Sequence, residues 1–395
     1  MLLGFKTELD LNNEQRTFAA KHAGTARHAW NWGLWLTQNI LDHNPANPSE
    51  KLKFPSAIDL HKLLVAMVKP ENPWYYETSK SSPQYALRQL REAWDRTFKK
   101  KAKPPQFKRK GRSQDSFTLD GTIKILGSNH IQVPKFGVLK TFESLPQVPV
   151  KNVTISRQSD KWFISFKIEI EPQSTEKTNL SVGVDLGVKH FATLSDGLVF
   201  DVPEEYKKLK AKIAKLQYLN RNKQRGSQAY KDFQKRIAGL HYRLTGIRKN
   251  YLHHLTTYLA KTFKVVCIED LNVKGMLKFG KLAGAVAMLG FYEFRRQLEY
   301  KCKLYSSDLQ IIGRWEPSSR TCSKCGWKDD ELTLKNRVFN CQNCGHSIDR
   351  DLNAALNIER IGLSSSSLRL IDVEVPTPTD EVSNKHQSYP MSSFA

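Results

Sequence analysis

The chain has 395 residues, enough for two or three domains with cores of their own. Its 62 Lys and Arg against 39 Asp and Glu leave a net charge of +23, an excess that favours a polyanionic partner, nucleic acid being the usual one. The most apolar run, AGAVAMLGF at 283–291, is far short of the ~20 residues that span a bilayer, MLLGFKTELD has no signal-peptide n-region, and no polybasic anchor stands alone.

The first predicted element is a helix over 12–43, followed by helices over 58–68 and 83–102. In the last of these Leu87, Leu90, Trp94 and Phe98 make an apolar stripe at helical spacing, and Pro83 suits the first turn. The run KKKAKPPQFKRKGR breaks the pattern with two prolines and dense positive charge. Six short β-like segments follow, from SFTL at 116 to KWFISFKIEI at 161–170, and suggest a small barrel. Residues 3–8 would add a strand to it, which makes the helical region an insertion.

A polar linker at 171–179 leads to SVGVDLGVKHFATLSDGLVF, read as three strands with a Ser195-Asp196-Gly197 turn. Residues 203–262 form two basic helices broken near Gly226; on the second, Phe233, Ile237, Leu240, Leu244, Ile247 and Tyr251 make a coiled-coil-like seam. KVVCIEDL at 264–271 is a short buried strand, and a Gly-rich loop and one helix lead to the cysteines. The Ser/Thr/Pro-rich tail from 363 onward is expected to be disordered.

Four of the six cysteines, Cys322, Cys325, Cys341 and Cys344, make C-x2-C-x15-C-x2-C. Four thiolates close a tetrahedral shell around a structural zinc, and this pattern suits a reducing compartment better than a disulfide framework. Gly326 and Gly345 follow the second cysteine of each pair, and His346 reads as a neighbour, not a ligand.

Acids supply the second constellation. Strand alternation places Asp185 with Gly183 and Gly187 on one face, opposite Val182, Val184 and Leu186. A carboxylate in so apolar a strand is costly unless paired or bound to a cation. Glu269 emerges where the buried strand reaches a loop, and Asp270 beside it reads as structural. In SIDRDLNAALNI, Asp349 stands near a helix N-cap and Asp351 in the first turn; capping explains the two acids as well as catalysis does. Together Asp185, Glu269 and Asp351 could hold a pair of Mg²⁺ or Mn²⁺ ions for phosphodiester hydrolysis. A three-strand meander, a helical crossover, a fourth strand and a late helix is the layout of an RNase H-like nuclease.

On GVDLGVKHFATLSDG, IEDLNVKGM, SSRTCSKCGWK, CQNCGHSIDRDLNAALNI, NNEQRTFAAKHAGTARHAWNWGL and PPQFKRKGRSQDSF, in that family's order, the chain resembles the TnpB (OrfB) family from about residue 5 to 360. These are RNA-guided DNA endonucleases of insertion sequences and relatives of the type V CRISPR effectors. The resemblance implies a RuvC-type active site on Asp185, Glu269 and Asp351, with Arg350 beside the scissile phosphate or bracing Asp351. It implies a zinc ribbon at 316–345 inserted before the helix that carries Asp351. The nuclease would occupy 180–315 and 346–362, with a helical insertion at 203–262. A wedge-like, OB-like barrel would span 1–8 and 104–175, carrying a helical recognition lobe at 9–103. The tail would be 363–395. KFGKLAGAVAMLG resembles a lid near the active site. Gln84 and Lys80 align with residues that read a short motif beside the target, though a Gln there could equally cap the helix.

The implied partners are a guide RNA from the transposon end and double-stranded target DNA, with no membrane, in a bacterial or archaeal cytoplasm at the nucleoid. The basic helices would track the heteroduplex through its backbone. The alternative is an RNA-guided DNA-binding repressor that does not cut; retention of all three acids favours the enzyme. A strand transposase would need a tyrosine or serine nucleophile, and none stands in a convincing setting.

Overall fold

The computed structural model describes residues 1–278, 280–333 and 336–365. Of the tail expected to be disordered, residues 363–365 close the last helix, and 366–395 lie outside the described residues. The chain divides into two compact units, residues 2–170 and the residues from Glu171 onward. Among the described residues no helix is long and apolar enough to cross a membrane.

The first unit opens with β1 (Leu2–Asp10) and a long helix, α1 (Asn13–Ala46). Asn12 starts α1 with a capping box: its side chain accepts from the Gln15 N–H while the Gln15 side chain accepts from its own. Ala19, Ala23, Ala26, Trp30, Leu34 and Thr37 fall at helical spacing and are buried. Next come α2 (Ala57–Leu63), a π-turn over Leu64–Val68, a 3-10 turn over Pro73–Glu77 and α3 (Ser81–Phe98). Leu87, Leu90 and Trp94 of α3 are buried as the stripe requires, whereas Phe98 is 48% exposed and stacks on Trp94. Trp94 donates its indole N–H to Thr37 Oγ1 of α1 at 3.0 Å.

Six strands follow, β2 (Ser116–Asp120), β3 (Lys124–Leu126), β4 (His130–Val133), β5 (Gly137–Thr141), β6 (Asn152–Gln158) and β7 (Lys161–Glu169). With β1 they form an antiparallel sheet in the order β2-β6-β7-β1-β5-β4-β3. The barrel expected from the sequence is therefore open in its hydrogen bonding, with β2 and β3 as its two edges. The reason is local: β3 is three residues long and mostly exposed, so it offers little ladder for closure.

The second unit is built on a five-stranded sheet, β10-β9-β8-β11-β12. Strands β8 (Asn179–Leu186), β9 (Ala192–Leu194) and β10 (Val199–Phe200) form an antiparallel meander. Two helices, α4 (Glu204–Asn220) and α5 (Gln228–Thr262), cross over to β11 (Phe263–Glu269), which lies parallel to β8. Short helices α6 (Val273–Met276) and α7 (Gly280–Leu289) precede α8 (Phe291–Leu304). The stretch expected as a Gly-rich loop is thus mostly helical, because Val286 and Leu289 are buried in the core and need a periodic face. From α8 the chain enters β12 (Asp308–Ile312), parallel to β11, a strand hidden in the sequence by Asp308 and Gln310. A small hairpin, β13 (Val338–Asn340) and β14 (Ser347–Asp349), runs into α9 (Arg350–Ser365).

Three layers result. Val182 and Val184 of β8 and Val266 and Ile268 of β11 pack with Leu252, Leu255 and Leu259 of α5 and with Phe291, Phe294 and Leu298 of α8. The opposite face, carrying Val265 and Cys267, packs against Ile358 of α9.

Candidate active site

Strand register brings the first two acids together. In the parallel β8–β11 ladder Cys267 pairs with Gly183 and Ile268 with Val184. One residue further on each strand stand Asp185 and Glu269, at the carboxyl ends and on the face that α9 covers.

Glycine lets α9 reach that face. A Cβ on Gly183 would lie 2.0 Å from the Ala355 carbonyl oxygen and 2.7 Å from the Glu359 N–H nitrogen. Only a residue without a side chain allows the helix backbone to lie on the strand. Ser181 Oγ donates to Glu359 Oε1 at 2.5 Å and fixes the same approach. The N-terminus of α9 is capped by Asp349, whose Oδ1 accepts from the N–H groups of Asp351 and Leu352 at 2.9 and 3.1 Å. Asp349 alone satisfies the cap, which leaves the Asp351 carboxylate for another task. Arg350 donates to Asp351 Oδ1 through Nη2 at 2.9 Å and Nε at 3.3 Å, with both side chains mostly buried.

The electrostatics record the convergence. Burial pushes the Asp185 carboxyl up to about 7, and the negative charges of Asp351, Glu269 and Asp349 add to it, while Arg350 opposes them. Glu269 is also raised, first by burial and then by Asp270. Asp270 goes the other way: hydrogen bonds and charge from Arg295 and Arg314 hold it below the usual carboxylate range. Its Oδ1 accepts from Arg295 at 2.5 Å and its Oδ2 from Arg314 at 2.7 Å. The structural reading of Asp270 agrees with these contacts.

The cysteines form the metal-sized cluster among the described residues: Cys322, Cys325, Cys341 and Cys344 place their sulfurs all within 4.8 Å of one another. Sγ separations of 3.7 Å (Cys322 to Cys344) and 3.4 Å (Cys325 to Cys341) approach the ~3.8 Å edge of a tetrahedron with Zn–S bonds of ~2.3 Å, so the set fits zinc. The two knuckles are built alike. Gly326 donates to the Cys322 carbonyl and Gly345 to the Cys341 carbonyl, at 2.9 and 3.0 Å, both glycines with φ near +70° to +77°. His346 contributes a backbone carbonyl to Cys341 and is not in the cluster.

Two residues that sequence reasoning missed tie this cluster to α9. Asn353, fully buried, donates to the Thr321 carbonyl at 2.8 Å and accepts from the Ser323 N–H at 2.9 Å. Asn357 donates to the carbonyls of Ser318 and Thr321 at 2.8 and 2.6 Å. Thr321 and Ser323 flank Cys322, so the knuckle is stapled to the helix that carries Asp351. Two asparagines four residues apart on an otherwise apolar face are the signal that could have found them.

Lys80 and Gln84 belong to the first unit. Both line a cavity of about 960 Å³, together with Tyr76, Asp120, Thr122 and Lys135. Gln84 donates its backbone N–H to the Lys80 carbonyl and stands within the first turn of α3, so its side chain is not the cap. The loop before them is anchored by His22, whose Nε2 accepts from the Ser79 N–H at 3.0 Å, and by Ser81, which donates to Asp120 Oδ1.

Three family models match the chain. One described as "Probable transposase" covers residues 165–280, "Cas12f1-like, TNB domain" covers 291–358, and "Helix-turn-helix domain" covers 1–44. In the structure the last region is one strand and one continuous helix. The chain is 34% identical over 296 residues to a "Putative RNA-guided DNA endonuclease" of Streptomyces pristinaespiralis, covering 74% of this chain and 73% of that one. It is 32% identical over 386 residues to "Putative RNA-guided DNA endonuclease InsQ" of Escherichia coli K12, covering 91% and 92%. Among solved structures, that of "the Cas12f1-sgRNA-target DNA complex" matches its fold with a TM-score of 0.55 at 15% identity, over 88% of this chain and 83% of that one.

Proposed function

We propose that this chain, which belongs to the TnpB (OrfB) family of proteins related to Cas12f, is an RNA-guided DNA endonuclease that cuts with Asp185, Glu269 and Asp351. The observation that carries the reading is the arrangement of those acids: two neighbouring strand ends and a capped helix start, on one face, with the first carboxyl raised by burial and then by the charge of the others.

Hard carboxylate oxygens suit Mg²⁺ or Mn²⁺, and acids presented by two neighbouring strand ends and a helix start could hold a pair of such ions. When bound, such a pair would activate a water and steady the leaving oxygen. Asp185 and Glu269 would hold it from the sheet and Asp351 from the helix. Arg350, hydrogen-bonded to Asp351, would brace that carboxylate toward the scissile phosphate. Zinc in the cysteine shell would have a structural task, holding the knuckle that Asn353 and Asn357 grip. On this reading the second unit would be an RNase H-like RuvC domain, which the order of its sheet, crossover helices and α9 supports.

The guide RNA would choose the target by base pairing, and the cavity at Lys80 and Gln84 would read a short duplex motif beside it. The deciding experiment uses the ribonucleoprotein with a matched plasmid and Mg²⁺. Cutting should fall at least ~10³-fold in Asp185→Ala, Glu269→Ala and Asp351→Ala, with target binding retained. Cutting that survives all three substitutions would remove the assignment. A wild-type complex that binds the target in Mg²⁺ and leaves it whole would mean a repressor. Gln84→Ala should alter which adjacent motif is accepted without touching guide binding.

A further inference from the structure

Beside Glu269 the second unit has a cavity of about 430 Å³, lined by Glu269, Lys274, Tyr292, Arg295, Arg296 and Arg314. The ladder pairs Glu269 with Ile312, the last residue of β12, so Arg314 and the residue after it follow directly from the level of the catalytic acid. That next residue is Trp315, 91% exposed. It sits at the tip of a tight turn closed by the Glu316 N–H to the Gly313 carbonyl at 3.2 Å. Tyr292, in the first turn of α8, lines the cavity and is 69% exposed, while Trp315 adjoins the lining as the residue after Arg314. Neither ring contributes to a core.

Asp270 gives these groups a fixed frame. Its carboxylate accepts from Arg295 and Arg314, and its carbonyl accepts from Arg314 Nε at 3.2 Å. The two guanidiniums are thereby held in place before any ligand arrives. Aromatic faces open to water, interleaved with anchored cations, are the equipment for unpaired nucleotides: bases stack on the rings and phosphates meet the cations. A duplex presents no free base faces and could not use two exposed rings in this way.

We propose that Tyr292 and Trp315, with Lys274, Arg295 and Arg314, form a platform that takes one or two unpaired nucleotides of the DNA strand entering the cut site. This rests on the nuclease reading for the identity of the strand. Stacking at the platform would keep the strand single and aim its backbone at Glu269.

The test separates stacking from charge. The guide-bound full-length protein carries Asp185→Ala so that bound strands persist. Its affinity is measured by fluorescence anisotropy for a labelled oligothymidylate and for an abasic oligomer of equal length and charge. The base-bearing strand should bind about 10-fold more tightly. Trp315→Ala and Tyr292→Ala should each reduce that ratio, the double variant should reduce it most, and Trp315→Phe should keep most of it. An unchanged ratio in the double variant overturns the platform. So does a ratio seen only without guide RNA, since the rings would then belong to the guide. Plasmid cutting by the unsubstituted complex is read separately. A Trp315-dependent ratio without cutting upholds the platform and defeats the nuclease. Cutting with a ratio indifferent to both rings does the reverse.

Discussion

Individual side chains make pH-dependent predictions of opposite sign. His22 is buried with both ring nitrogens committed: Nε2 accepts from Ser79, so Nδ1 carries the proton and donates to the Phe18 carbonyl at 3.1 Å. Burial lowers its pKa to about 4, with Lys135 adding to the effect and the Phe18 bond opposing it. A histidine depressed in the folded state destabilises the fold as pH falls from its unfolded pKa toward the folded one. The first unit should therefore lose on the order of 3 kcal/mol between about pH 6.5 and 4. Urea unfolding across that range should show the slope, and His22→Gln should flatten it. Asp185 is a carboxyl raised to about 7, so the metal-free fold holds an extra proton between its ordinary pKa and 7 and loses stability as pH rises through that window. Metal-free Asp185→Asn should be more stable than the parent at pH 8, by roughly 2–4 kcal/mol at most, and no more stable near pH 3. Equal stability at pH 8 would mean that Asp185 is neither desolvated by burial nor crowded by the other acids.

At the level of elements, the question is what sets α9 on the sheet. Gly183 carries that burden, because its missing Cβ would meet helix backbone that has no side chain to swing aside. Gly183→Ala should displace α9, lower stability by roughly 1–3 kcal/mol and reduce cutting far more than stability alone explains. Thermal melts beside cleavage rates on the same preparation would check it. The cysteine knuckle holds the same helix through Asn353 and Asn357. Stripping zinc with a strong chelator should loosen α9, seen as faster amide exchange at its N-terminus, while exchange in β1 and α1 stays unchanged. Much of this unit was legible in sequence. The C-x2-C pairs, the acid between glycines and the acid ending a β-branched strand each carry a local reason for being there. What stayed hidden was relational. Nothing near Asp270 names Arg295 or Arg314, which come from 25 and 44 residues away. β12 was masked by Asp308 and Gln310, because an edge strand tolerates polar residues that a central one would refuse. The stretch read as a Gly-rich loop became α7 because burial of Val286 and Leu289 overrides the low helix propensity of glycine.

For the molecule as a whole, a charge of +23 says how it meets nucleic acid before any sequence is read. Exposed lysines run along α4, Lys208, Lys212 and Lys215 among them, and they cannot distinguish one base from another. Their contribution is release of counterions, which makes affinity fall steeply with salt. With 6–10 phosphate contacts, non-specific binding should weaken by roughly 10³–10⁵ between 50 and 200 mM salt. Two kinds of substitution then separate. Changing Lys208, Lys212 and Lys215 together to Ala should flatten the plot of log affinity against log salt by up to about 2–3 units of slope, equally for matched and unmatched DNA. Trp315→Ala should shift the single-strand line down at every salt concentration and leave its slope alone, because a stacked base releases no ions. Titrations of both variants over one salt series would show it. Parallel lines for the lysine variant would mean that α4 faces away from nucleic acid, and the charge that matters would then have to be sought elsewhere on the chain.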